Sequence, residues 1–510
     1  MSAAPQIFVF ADQVLGEIKG PLWGQFIELA GRCVNNGLYD PQSPHARPDG
    51  VRADVVAALK ELRPTHIRYP GGCATAYFDW QELVGPRPQR PRAKLFRSLA
   101  TPQSTAFGIP EAHALCEEVG AELYLSVNAH TQSPEDAANL VEYLNGTTPT
   151  RWADLRRAHG REEPYQVKLF SLGNEIYGDW QPGVKTAPEY VAWCREAIAQ
   201  MKAIDPTIRI VCCGCGRFNP EWDRTVLKGL IDRIDMISVH NYFGRPVFAD
   251  CMAASRVCEE MFDWINLAID EAMDSLLSRK ERPRIAFDEW NIWYRAGHTP
   301  EADVEEIYDY TDALTMASLF HVMLRNVRSV GVSNVSLAVN TLGAIFTDRE
   351  RMVRQTIFHP QVMLREAHTG QVVRVATDGP VFQAKHERYF CGIVDVEKAK
   401  DENLPTLLHF DDVPALDVLV SVDRAAAGMA MSVVQKLPDR PLRTKLHFVG
   451  VTPKGPDVTV HSLVGKGTES LTAANTLDSP DSVHVQTENR PLSDTFEFPP
   501  ASLTVLEFRI

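Results

Sequence analysis

Short apolar runs alternate with longer stretches of helical periodicity over the first three-quarters of the chain. That alternation predicts βα units arranged around a parallel sheet. The runs that read as strands are Gly24–Glu28, Thr65–Tyr69, Glu122–Asn128, Val167–Leu172, Ile208–Cys213, Met236–His240, Arg284–Asp288 and Val335–Val339. Between them lie helical patterns such as Val51–Leu62, Pro110–Val119 and Ala187–Ile204. Eight such units predict a (β/α)8 TIM barrel. Past about Gly370 the texture changes. Val372–Ala376, Val418–Val422 and Lys445–Val451 are β-rich, with Pro, Gly and Asp between them and few helical patterns. They predict an antiparallel β-sandwich of jelly-roll type, closing on a turn at Pro499-Pro500 and one last alternating strand up to Phe508. The expected division is a barrel over residues 16–370 and a sandwich over 371–510. The strand Gln6–Phe10, within residues 1–15, would join the sandwich, because a closed barrel has no edge to receive it.

Length and composition agree with a two-domain globular protein: 510 residues, 45% hydrophobic and 23% charged. The formal net charge of −14 gives no basic footprint, so nucleic acid and anionic membrane surfaces are not expected partners, and an uncharged substrate fits better. Residues 1–20 show neither a basic n-region nor a long apolar run, and no 18-residue apolar stretch follows. The expected location is the cytoplasm. The ten cysteines include one C-x-x-C, Cys212 to Cys215, without a second pair at zinc spacing, which predicts reduced buried thiols and no metal site.

Reactive groups of a (β/α)8 barrel sit where strands end and βα loops begin. The fourth predicted strand ends Ser171-Leu-Gly-Asn174-Glu175, the sixth Ser238-Val-His240-Asn241-Tyr242, and the seventh Phe287-Asp288-Glu289-Trp290-Asn291. Each has an ordinary reading when taken alone: Asn174 as a helix cap, Asp288-Glu289 as a solvated pair, His240 as a hydrogen-bonded core histidine. Together they put two carboxylates on nearly opposite strands of one mouth. Glycoside hydrolysis needs that pair, one to protonate the leaving oxygen and one to attack or to activate water.

The residues also resemble a known family. Arg68-Tyr-Pro-Gly-Gly72 with Tyr77, Trp80 and Gly85-Pro-Arg87 is similar to the α-L-arabinofuranosidases of glycoside hydrolase family 51. So are Gly24-Gln-Phe-Ile-Glu28, Leu172-Gly-Asn-Glu-Ile-Tyr-Gly-Asp-Trp-Gln181, Phe287-Asp-Glu-Trp-Asn-Ile-Trp293 and Arg354-Gln-Thr-Ile357, in order along the chain. The resemblance implies retaining, exo-acting release of terminal arabinofuranosyl units from arabinan, arabinoxylan or their oligosaccharides, with no cofactor. It implies Glu175 as acid/base and Glu289 as nucleophile. Asn174 would hold the sugar's 2-hydroxyl, Tyr242 would orient Glu289, and His240 would support Glu175. Glu28 and Gln355 would read furanose hydroxyls, and Trp293 would form an apolar wall. A homo-oligomer is implied too, since relatives are often hexamers. Two departures stand out. Cys73 replaces an Asn common among relatives, which changes a sugar contact, and segment 97–107 lacks the usual charged pattern. The competing readings are a β-xylosidase or endo-β-glucanase of the same clan, an inactive carbohydrate-binding protein, and a metal-assisted hydrolase built on His240 and Asp288.

Overall fold

The structure is a computed structural model, and it describes residues 4–91, 102–216, 219–276, 281–294, 304–388, 407–465 and 471–510. After β1 (Gln6–Glu17), eight strands close into a parallel barrel in chain order. They are β2 (Gly24–Phe26), β3 (His66–Tyr69), β4 (Glu122–Val127), β5 (Leu169–Leu172), β6 (Arg209–Cys213), β7 (Met236–Phe243), β8 (Arg284–Ile292) and β9 (Val330–Val335). Helices 53–62, 109–119, 134–145, 187–204, 220–230, 254–274, 310–325 and 358–367 follow the strands in turn. Local sequence sets where they start. Ser133 Oγ accepts a hydrogen bond from the Asp136 N–H, and the Asp136 carboxylate accepts one from the Ser133 N–H, with Pro134 in the first turn. The barrel is filled at mid-height by Tyr124, Leu169, Val211, Met236, Ala286 and Val332, so its chemistry is confined to the ends.

Seven of the eight barrel strands overlap the predicted runs closely. The eighth starts five residues earlier than the predicted Val335–Val339, because β9 carries Ser333 and Asn334 in a fully buried stretch. Ser333 accepts from Trp290 Nε1 at 2.9 Å, and Asn334 joins His66 and the Gln25 carbonyl at 2.8 and 2.7 Å. Satisfied polar residues make that strand invisible to a hydrophobicity reading.

A two-stranded ribbon, β10 (Ile345–Thr347) with β11 (Met352–Arg354), precedes the C-terminal sheet domain. That domain comprises β12 (Gln371–Asp378), β13 (Val381–Glu387), β14 (Leu407–Pro414), β15 (Leu416–Asp423), β16 (Gly428–Gln435), β17 (Leu442–Val449), β18 (Lys454–Gly465), β19 (Val483–Pro491), β20 (Thr495–Phe498) and β21 (Ser502–Arg509). Nine strands run β19-β18-β21-β16-β15-β12-β1-β17-β20, so the N-terminal strand does enter this sheet. All pairings are antiparallel except β1 with β17. The sheet has its own core, including Ile7, Val9, Val420, Met431, Leu446 and Phe498. β13 and β14 form a separate hairpin that reaches back to the exit of β7, where the Gly244 N–H donates to His386 Nε2 at 3.2 Å and Arg245 pairs with Glu387. Among the described residues, no helix is long and apolar enough to cross a membrane. The nine described cysteines are free, and eight of them are buried.

A polar chain crosses the seam between helix 310–325 and the sheet. Asp417 Oδ1 meets His321 Nδ1 at 3.2 Å, Ser432 Oγ lies 2.7 Å from His321 Nε2 and 2.8 Å from His368 Nε2, and His368 Nδ1 reaches Ser421 Oγ at 3.0 Å. Burial pushes His368 down to about 3 and, elsewhere in the core, His66 down to about 4. Unfolded histidine titrates near 6.5, so between about pH 6.5 and 3–4 the unfolded chain binds protons that the folded one refuses. The stability these groups support is therefore complete above pH 6.5 and falls progressively as pH drops. Urea denaturation at pH 7 and pH 4.5 measures this directly. A midpoint clearly lower at pH 4.5 is expected, with the difference reduced in His368→Gln, whereas equal midpoints would refute it.

Candidate active site

Five strand ends, those of β2, β3, β5, β7 and β8, supply the polar groups at the C-terminal mouth of the barrel. The loop after β5 turns through Gly173 at φ 79° and Glu175 at φ 42°. A left-handed glutamate costs about 1–3 kcal/mol and persists only where its surroundings impose it. Here Gln181 Nε2 donates to the carbonyls of both Asn174 and Glu175, at 2.6 and 2.8 Å, while the Asn174 N–H donates to His130 Nε2 at 3.2 Å. The clamped turn points consecutive side chains into the mouth. Asn174 Oδ1 accepts from Arg68 Nη2 at 2.7 Å, but its Nδ2 is buried without a partner. Such a donor is costly to leave unpaired unless something else binds it.

β8 presents two carboxylates in succession, which a regular strand would send to opposite faces. Its register shows how both turn inward. Against β7 the pairing steps from Ser238↔Ala286 to His240↔Glu289, and against β9 from Phe287↔Ser333 to Trp290↔Val335. β8 thus carries one extra residue against each neighbour, a bulge that re-aims the side chains at its end. Asp288, fully buried, accepts from Tyr124 Oη and Ser238 Oγ, both at 2.6 Å. Burial alone would raise its pKa, but the Arg68 guanidinium and His240 hold it well below the usual carboxylate range. Glu289 accepts from Arg68 Nη1 at 2.8 Å through Oε2 and from Tyr242 Oη at 2.9 Å through Oε1.

His240 links the two halves. Its Nδ1 lies 2.9 Å from Glu175 Oε1 and 3.7 Å from Glu289 Oε2, and its Nε2 lies 3.1 Å from Ser238 Oγ and 3.4 Å from Asp288. Burial opposes charging this ring, yet Glu289, Asp288 and Glu175 outweigh it and push the group up to about 10. It therefore sits as an imidazolium with both nitrogens donating. One oxygen each of Glu175 and Glu289 and a ring nitrogen of His240 all lie within 4.8 Å of one another. This is the one trio of potential metal ligands among the described residues. Asp288, the other ligand of a metal-assisted reading, is already engaged at both oxygens.

Opposite them, Glu28 Oε1 accepts from the Ala74 N–H at 2.8 Å. A Cβ on Gly72 would lie 2.5 Å from that oxygen, so only glycine lets this loop lie against the carboxylate. Burial first, and then the charge of Glu289, push Glu28 up to about 8. The half-buried Cys73 thiol is raised by burial and by Glu175, Glu28 and Glu289, which keeps it neutral. Trp293 stands edge-on to Tyr242, with ring centres 5.1 Å apart and Val304 and Leu342 beside it.

Gln355 is a correction. It is fully buried, its Nε2 donates to the carbonyls of Glu306 and Gly343 at 3.1 and 2.8 Å, and its Oε1 accepts from the Tyr308 N–H at 3.0 Å. Both donors are spent on the main chain, so it shapes the loop after β8 rather than reading hydroxyls. Segment 97–107 contributes little to the mouth in its described part, residues 102–107: Gln103 is fully buried and bonds Asn35 and the Gly31 carbonyl. Residues 97–101 lie outside the described residues. The sequence reading assigns no role to Arg68, Gln181, His130 or Trp180, whose indole Nε1 donates to Glu175 Oε2 at 3.1 Å. Arg68 was signalled by a cation placed inside a barrel strand, since a buried Arg needs a carboxylate.

Comparison with known proteins adds to this geometry. The family model of the alpha-L-arabinofuranosidase 1 domain matches residues 58–256, and that of the alpha-L-arabinofuranosidase C-terminal domain matches residues 288–502. The chain is 31% identical to an intracellular exo-alpha-(1->5)-L-arabinofuranosidase 1 of Bacillus subtilis, over 87% of each chain. It is also similar to an alpha-L-arabinofuranosidase of Thermotoga maritima solved with arabinose, at TM-score 0.90 and 29% identity, over 99% of this chain and all of that one. A GH51 alpha-L-arabinofuranosidase of Thermotoga petrophila gives TM-score 0.89 at 29% identity, with the same coverage.

Proposed function

Because the chain belongs to the α-L-arabinofuranosidases of glycoside hydrolase family 51, we propose that Glu289 and Glu175 carry out its retaining hydrolysis in two displacements. It is an exo-acting glycoside hydrolase that removes terminal α-L-arabinofuranosyl residues. The observation that carries the retaining reading is the close approach of the two carboxylates around one His240 nitrogen. Retention calls for carboxyl groups roughly 5–5.5 Å apart, and inversion for about 6.5–9.5 Å to admit a water. An oxygen of each carboxyl group within 4.8 Å of the other supports the shorter gap.

In the first displacement an oxygen of Glu289 bonds to the anomeric carbon as the bond to the leaving oxygen breaks, and the proton of Glu175 passes to that oxygen. In the second, water attacks the same carbon, its proton goes to Glu175, and the ester to Glu289 breaks. Arg68 and Tyr242 fix the two Glu289 oxygens, so the nucleophile needs no reorganisation. The unpaired Nδ2 of Asn174 is the group available to the sugar's 2-hydroxyl, a bond that tightens towards the oxocarbenium-like transition state. Glu28, neutral near pH 7, donates to one furanose hydroxyl and accepts from another. Cys73 supplies a weak neutral contact, and Trp293 supplies the apolar wall.

The name of the Bacillus subtilis relative supports a cytoplasmic location, and the resemblance supports a homo-oligomer. Product analysis on branched arabinan, arabinoxylan and linear arabino-oligosaccharides tests the substrate reading. Free arabinose is expected as the first and only small sugar released from the two polymers, and linear oligosaccharides should shorten one unit at a time, with aryl β-xylosides turned over at least about 100-fold more slowly. Early release of oligosaccharides would favour the endo-acting alternative.

A further inference from the structure

Both oxygens of Glu175 have hydrogen-bond donors, and the two donors differ in kind. Oε1 faces the buried imidazolium of His240 at 2.9 Å. Oε2 accepts from Trp180 Nε1 at 3.1 Å, and Trp180 is 36% exposed although Glu175 is only 9% exposed. Oε2 therefore lies on the open side of the mouth. The indole is held there by its surroundings. It stands edge-on to Tyr177, with ring centres 5.9 Å apart. It also passes directly over Gly178, where an added Cβ would lie 2.2 Å from Cζ2. Gly178 in turn donates its N–H to the Glu175 carbonyl at 2.8 Å, so the indole and the carboxylate belong to one compact turn.

We propose that Trp180 is a positioning residue for Glu175, fixing the rotation of its carboxyl group and steadying the charge that appears on Oε2 as the proton leaves. The inference rests on the acid/base reading of Glu175. With Oε1 committed to a cationic donor, Oε2 is the oxygen that carries the proton. When the leaving group departs, the Oε2–H bond breaks, the proton goes to the leaving oxygen, and the electron pair stays on Oε2. The indole N–H donates to that same oxygen, and a hydrogen bond to a charged oxygen is about twice as strong as one to a neutral oxygen. Trp180 thus stabilises the transition state more than the ground state. In the second displacement Oε2 takes the proton from water, and the fixed rotation keeps it aimed at the water that attacks the anomeric carbon.

The dependence of kcat/KM on leaving-group acidity isolates this role, because proton donation matters more as the leaving alcohol becomes poorer. A series of aryl α-L-arabinofuranosides from 4-nitrophenyl to phenyl varies acidity while the ring that meets Trp180 stays almost the same. Trp180→Phe keeps an aromatic face and removes the N–H. It is expected to lose about tenfold with the phenyl substrate and less than about twofold with 4-nitrophenyl, so the plot steepens. Gly178→Ala keeps the N–H but displaces the indole from Oε2, and should steepen the plot in the same direction. Glu175→Ala provides the limiting slope. Parallel plots for wild type and Trp180→Phe, alongside a steep one for Glu175→Ala, would overturn the role of Trp180 alone. A plot left unchanged by Glu175→Ala would overturn the acid/base reading and the Trp180 role with it.

Discussion

Glu289→Ala is expected to abolish turnover of every arabinofuranoside, by roughly 10⁴–10⁶-fold in kcat, because no group remains to form the glycosyl ester. Its neighbours make the loss independent of the leaving group. Arg68 and Tyr242 both donate to Glu289, and neither carries a nucleophile that reaches the anomeric carbon in its place. Removing the carboxylate also strips Arg68 of a buried counter-charge, so Glu289→Gln is the companion variant, keeping volume and one acceptor while removing nucleophilicity. Both variants should be equally inactive, and Glu289→Gln should fold like the parent. Azide fits the space vacated in Glu289→Ala and should yield an arabinosyl azide of inverted configuration. Residual activity above about 1% in both variants without azide would move the nucleophile elsewhere.

Glu175→Ala is expected to behave differently, and that contrast separates acid from nucleophile. A 4-nitrophenyl leaving group departs without protonation, so its first displacement survives while the second stalls for want of a base. Natural linkages, whose leaving alcohols are poor, should fall by about 10²–10⁴-fold. Azide needs no base and should restore turnover of the aryl substrate, with retained configuration, because two inversions then occur. Equal loss on both substrate classes with no azide effect would remove Glu175 from the acid/base role. Gln181 and His130 clamp the backbone of this turn rather than the Glu175 side chain, so the variant keeps its local fold.

The two carboxylates proposed as the catalytic pair were legible because carboxylates at the ends of barrel strands four and seven have no structural reason to recur there. Asn174, His240 and Tyr242 were legible because they share those ends. The groups that tune the pair were not. Arg68 serves Glu289, Asp288 and Asn174 at once, but a sequence shows only an arginine in a short strand, and nothing in it tells which of sixty-six acids the arginine meets. Asp288 and Glu289 turn the same way only because β8 gains a residue on both neighbours, and register is a property of three strands, not one. Gln355 shows the opposite error. Its motif is present, but loop geometry around Glu306 and Gly343 spends its amide on the main chain. The displaced eighth strand has the same origin, since Ser333 and Asn334 are paid for by partners hundreds of positions or one strand away.

The most direct measurement is mass spectrometry of Glu175→Ala after brief exposure to 4-nitrophenyl α-L-arabinofuranoside. With deglycosylation stalled, the intact protein should gain one anhydro-arabinosyl unit, and peptide mapping should place it on Glu289. A label on any other residue, or burst release of nitrophenol with no covalent sugar on the protein, would contradict the double displacement.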